Sequence, residues 1–121
     1  MQQQAAQAYQ QTATQTASPR DLEAQLLVKA AAKMINVQEN WETEKSNLNV
    51  ALTYNRRLWS IFLNAVTKED NPLPKEAREN IANLGLFVFN HTLKMASEPS
   101  AENLSVLINI NREIAAGLRA T

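Results

Sequence analysis

Leu48, Leu52, Asn55, Trp59, Phe62 and Val66 recur every three or four residues, which is the spacing of one face of an α-helix. An earlier stripe follows the same rule through Leu22, Leu26, Ala30, Met34, Val37 and Trp41. Two later ones run through Ala77, Ile81, Leu84, Val88 and Met95, and through Leu104, Leu107, Asn111, Ile114 and Leu118. The alternation of period two that marks strands is missing from the sequence. The pattern predicts an all-α chain, a four-helix bundle of helices at about 19–42, 46–68, 74–96 and 101–118, most simply in up-down order.

The helix boundaries follow from local chemistry. Ser18 is placed to cap the first helix, Pro19 suits the first helical position because its missing N–H would be unpaired there, and Asp21 stands three residues after the cap. Between the first two helices, ENWETEKSNLN holds neither Gly nor Pro, so the break is soft, with Ser46 and Asn47 as the plausible caps. The prolines of EDNPLP end the second helix, Pro74 restarts the chain, and Glu76 and Glu79 favour the positive end of the third. Pro99 and Ser100 mark the last break.

Residues 1–17, MQQQAAQAYQQTATQTA, are polar and low in complexity, with Tyr9 the only large apolar side chain beyond Met1. Such a segment cannot bury enough surface to offset its ordering entropy, which predicts a flexible tail ahead of a helical domain over residues 18–121. Its Gln and Ala content would still permit helix against an accepting surface. At 121 residues the chain makes one small domain, large enough for a core without disulfides or metal. It has no cysteine, so thiolate zinc sites are excluded along with disulfides.

Twelve Lys and Arg balance twelve Asp and Glu, which argues against a polyanion-binding protein. No apolar run approaches the roughly 20 residues that cross a bilayer, and a signal-peptide pattern is lacking at the start, so a soluble protein with no membrane insertion is expected. The only histidine, His91, lies near the edge of the third stripe and reads as a structural residue; Gly85 and Gly117 are isolated, so no phosphate-cradling loop is formed. The glutamates read as solvated helix positions. No nucleophile, base and orienter can be assembled, and the expectation is a non-enzymatic protein without cofactor or metal.

Two asparagines interrupt the apolar stripes, Asn55 and Asn111, each followed by an arginine, Arg56 and Arg112. An unpaired buried amide costs about 1–3 kcal/mol, so both need partners. Either they bond each other or nearby backbone and set helix register, as core asparagines do in coiled coils, or they line a polar spot in a partner groove. At 100° per residue Arg56 lies about 60° from Trp59, at the margin of the core face, which makes it the better candidate for a structured ion pair; Arg57 points away.

Two helices carry more apolar surface than a simple bundle needs. In the third, Ala82, Leu86, Phe89 and Leu93 form a second stripe nearly opposite the first; in the first, Ala24, Val28, Ala31 and Ile35 do the same with smaller side chains. A helix apolar on two sides is central and covered on both, or keeps one side for a partner such as an amphipathic helix. The candidates for partner contact are Tyr54, Arg56, Arg57, Leu86, Phe89, Leu93 and Arg112, with the outer stripe of the third helix favoured. A homodimer through that stripe is the plainer alternative.

Tyr9-Gln10-Gln11, Ser18-Pro19-Arg20, Asn55-Arg56-Arg57-Leu58-Trp59, Leu73-Pro74 with Arg78, and Ile110-Asn111-Arg112 with Gly117-Leu118 occur in this order over almost the whole chain. The set resembles the FlaF family of flagellar biosynthesis regulators of alphaproteobacteria. That resemblance implies a cytoplasmic partner of flagellin, needed for flagellin synthesis and export and acting against the regulator FlbT. A flagellin export chaperone is the mechanism it suggests, holding a terminal amphipathic segment of flagellin; the alternative is post-transcriptional control of flagellin messenger RNA with or against FlbT. One position departs from the family's pattern: Asn109 stands before Ile110-Asn111-Arg112 where an acidic residue is expected.

Overall fold

The computed structural model describes residues 18–120, in which four long helices carry the fold: α1 (Pro19–Glu39), α2 (Leu48–Val66), α3 (Lys75–Ser97) and α4 (Leu104–Arg119). The expected tail, residues 1–17 with the Tyr9-Gln10-Gln11 motif, lies outside the described residues. The start of α1 follows the predicted cap: Ser18 Oγ accepts the Asp21 backbone N–H at 3.1 Å. One turn later Arg20 and Glu23 form an ion pair at 3.0 Å, where burial pushes the Glu23 carboxyl above its ordinary pKa and Arg20 pulls the other way.

The break after α1 comes earlier than expected. Asn40 leaves helical geometry, and its Nδ2 bonds both the carbonyl and the side-chain oxygen of Asn36 at 3.1 Å, an alternative to continuing the ladder. A helical turn (Trp41–Glu44) and a 3₁₀ turn (Lys45–Asn47) then lead into α2. Asn47 stands at the cap position without capping; its Nδ2 donates to Glu44 Oε2 at 2.7 Å. Residues 101–103 form a turn, so α4 begins about one turn later than its sequence predicts.

The helices alternate in direction. Gln38 near the end of α1 donates to Ala101 O and Ser105 Oγ at the start of α4, both at 2.8 Å. Lys33 of α1 faces Tyr54 of α2, and Arg56 of α2 shares a cleft with Leu93 of α3. The most extensive pairing is α1 with α4; α3 packs along α2 and only slightly on α4. Small side chains explain the first pairing, since Ala24, Ala30 and Ala31 are all buried and let the helix axes approach. In the second, Gly85 gives the close approach: a Cβ there would run into the Leu63 Cδ1 methyl.

The α2 stripe is buried as predicted, from Leu48 to Val66. On α1 the buried sector is Ala24, Leu27, Ala30, Ala31, Met34 and Val37, which takes members of both predicted stripes and adds Leu27, because α2 and α4 cover adjacent sides. Leu26 and Val28, assigned to separate stripes, are both exposed, and Leu22, Ile35 and Trp41 are half-buried. On α3 Ile81, Val88 and Met95 are buried, and Leu86 and Leu93 are exposed, so this helix is peripheral and not covered on both faces.

The α2–α3 connection is stapled by its own polar groups. Asn71 Nδ2 donates to Ala65 O at 3.2 Å and its Oδ1 accepts the Leu73 N–H at 3.0 Å. Arg78 reaches back from α3 to Leu73 O at 3.2 Å and Lys68 O at 3.4 Å. Leu73 and Arg78 therefore lock a turn, which accounts structurally for their place in the sequence motif.

Candidate functional site

Asn55, Asn111 and Trp59 meet where α1, α2 and α4 converge, and all three are fully buried. Asn111 Nδ2 donates to Asn55 Oδ1 at 2.7 Å and to Leu27 O at 3.2 Å, while its Oδ1 accepts the Trp59 indole N–H at 2.9 Å. One amide thus ties three helices together, as the register reading expects. The two asparagines are unequal: among the described residues Asn55 Nδ2 has no hydrogen-bond partner. Away from this junction His91 donates Nε2–H to Asn103 O at 2.8 Å and stacks on Phe87, a structural role that links α3 to the turn before α4.

On the opposite side of α2 lies an open groove of about 670 Å³. Val50, Tyr54, Arg57 and Ile61 recur there at four-, three- and four-residue steps, Leu58 lies deeper, and Leu26 of α1 closes the far wall. The surface is mostly aliphatic, yet Val50 and Ile61 are 66% and 65% exposed and Leu26 is 41% exposed. Lys33 Nζ sits 5.0 Å from the centre of the half-buried Tyr54 ring, in cation–π range.

The predicted partner-contact residues fall on several surfaces. Tyr54 and Arg57 line this groove. Arg56 is exposed and makes no ion pair among the described residues, contrary to expectation; it borders a smaller cleft with Phe89 and Leu93, where α3 supplies no carboxylate. Leu86 and Leu93 are 55% and 70% exposed on α3, and Phe89 is half-buried. Arg112 is exposed on α4, away from all of these.

Sequence reasoning missed Leu26, Val50 and Ile61 as surface residues. The available signal was the step pattern 50, 54, 57, 61, a second stripe on α2. It was hidden because Arg57 and Tyr54 interrupt it.

No described helix is long and apolar enough to cross a membrane. Among the described residues no group of three His, Asp or Glu side chains is arranged to hold a metal ion. Residues 5–118 match the model of a family described as Flagellar protein FlaF. No curated protein and no solved structure matches the chain.

Proposed function

The chain belongs to the FlaF family of flagellar proteins, and from that premise we propose that it is a non-catalytic, cytoplasmic binding protein of flagellum biogenesis that holds an amphipathic segment of flagellin in the α1–α2 groove. The supporting observation is the exposure of Leu26, Val50 and Ile61 around the buried Leu58. Fully burying an aliphatic side chain contributes about 1.5–3 kcal/mol, so this much wet apolar surface along one groove favours a ligand that covers it.

A flagellin terminus that is unfolded before assembly can lie in such a groove as a helix. Capture would shield its apolar face from polymerisation, and would support flagellin synthesis and export by keeping the cargo competent. Ordering on binding offsets part of the contact energy, so affinity is modest for the area buried and release is straightforward. Direct action on flagellin messenger RNA is less well supported, since Arg56 and Arg57 open into different clefts and Arg112 stands on another helix.

Gel filtration with light scattering of the protein mixed with monomeric flagellin tests the reading, and a stable complex is expected. Hydrogen exchange on that complex should show added protection at residues 50–61 of α2 rather than at 86–93 of α3. Flagellin eluting unshifted at high concentration would remove the proposal.

A further inference from the structure

The balanced charge of the whole chain conceals an uneven distribution. Residues 24–38 of α1 and all of α2 carry Lys29, Lys33, Arg56 and Arg57 and not one Asp or Glu. The acidic residues sit elsewhere: at the start and end of α1, in the turns, on α3 and at Glu113 of α4. The stretches of the two helices that wall the groove therefore carry four cations and no carboxylate, although α1 as a whole is neutral, its Arg20, Lys29 and Lys33 matched by Asp21, Glu23 and Glu39.

Three of the four cations belong to the groove side. Arg57 lines it directly, Lys33 reaches over Tyr54, and Lys29 stands one turn from Lys33 on the same face of α1. None of the three has an ion-pair partner among the described residues; the ion pairs there are Arg20–Glu23, Lys45–Glu42 and Lys75–Glu79. An aliphatic trough rimmed by Lys29, Lys33 and Arg57, with Glu44 the carboxylate that shares a cleft with Lys33 and Val50, is complementary to one kind of helix.

We infer that the α1–α2 groove selects an amphipathic helix whose apolar stripe is flanked by carboxylates, with Lys33 and Arg57 as the specificity-determining cations. Charge argues against the other occupants. Residues 1–17 contain no charged side chain and would leave the rim uncompensated. A second copy docked groove to groove about a two-fold axis would bring like charges together, which disfavours that pairing. The inference rests on the flagellin reading only for the identity of the natural ligand.

Synthetic amphipathic peptides of about 20 residues, sharing one leucine stripe and flanked by Glu, Gln or Lys, are suitable probes because helices of that length can form on the surface. With the full chain, the Glu peptide should bind about tenfold more tightly than the Lys peptide at low salt, and the gap should narrow at about 0.5 M salt as the Debye length contracts. Lys33→Glu with Arg57→Glu should reverse that order while helicity and thermal midpoint are retained. Equal binding of the Glu and Lys peptides, or an order untouched by the double variant, would overturn the inference. So would tighter peptide binding by Tyr9→Asp, which would place the chain's own tail in the groove, or a dimer dispersed by Val50→Asp.

Flagellin run in parallel separates the two proposals. Flagellin binding that ignores the double variant refutes the groove as its seat and leaves the chaperone reading standing. A clear peptide preference without any flagellin complex refutes the chaperone reading and supports the groove's selectivity.

Discussion

The two sides of α2 have nearly the same residue spacing and opposite fates. On one, Asn55, Trp59 and Phe62 are sealed in the core, so that an amide is fully buried; on the other, Val50 and Ile61 remain mostly in water. A polar residue inside and aliphatic residues outside invert the usual partition. The buried amide is explained by Asn111, which supplies its hydrogen bond and joins three helices. The exposed aliphatics have no such explanation among the described residues, and that difference separates a structural device from a candidate site.

The comparison breaks most readily at Asn111. Replacement by Leu leaves the buried Trp59 N–H without its acceptor and removes the donor to Asn55, so unfolding free energy should fall by about 3 kcal/mol in urea titrations. Flagellin binding at low temperature should survive. If Asn111→Leu keeps full stability, the junction is not what holds the helices in register.

The outer side gives the converse result. Val50→Asp with Ile61→Asp should weaken flagellin binding at least about tenfold, the equivalent of one aliphatic burial. Stability should change by no more than about 0.5 kcal/mol, because both side chains are already exposed. Unchanged affinity would turn attention to Leu86 and Leu93 on α3.

Asn55→Leu sharpens the contrast between the paired amides. Its Nδ2 is already unpartnered among the described residues and Asn111 keeps Leu27 O, so the loss should be about 1 kcal/mol or less, well below that of Asn111→Leu. Similar losses at both positions would show that the two amides carry the junction equally.

The smallest effect concerns Glu23, near the start of α1 and one turn before Leu26 and Leu27. Its folded-state pKa is raised by burial, with Arg20 opposing, so the stability it contributes is complete below the unfolded value and is lost as pH rises through the folded one. Glu23→Gln stays neutral and should gain on the parent protein as pH rises from about 4. Thermal midpoints that track in parallel across that range would contradict the assignment.

Several features were legible because they depend on neighbours in the chain. The Ser18 cap, the prolines that separate α2 from α3 and the buried stripe from Leu48 to Val66 follow from spacing and turn chemistry, and the pairing of Asn55 with Asn111 is one of the readings that spacing allows. The family was legible too, since its motif residues include structural ones: Asn55, Trp59 and Asn111 in the junction and Arg78 in the turn lock.

The candidate site was legible only in part. Tyr54 and Arg57 stand among the expected contact residues and their aliphatic companions Leu26, Val50 and Ile61 do not, while the outer stripe of α3, the other expected surface, keeps Leu86 and Leu93 exposed. Periodicity shows that a helix has an apolar side; it does not show whether another helix lies there. Four helices, their turns and two polar core positions are written in local sequence, because hydrogen bonding and helical period act over a few residues. Packing between helices is what sets α3 at the edge, turns Leu27 of α1 inward and Leu26 outward, and leaves open an apolar trough rimmed by Lys33 and Arg57. Those outcomes depend on how close helix axes can come, which is set jointly by Ala24, Ala31 and Gly85 and by side chains far away in sequence.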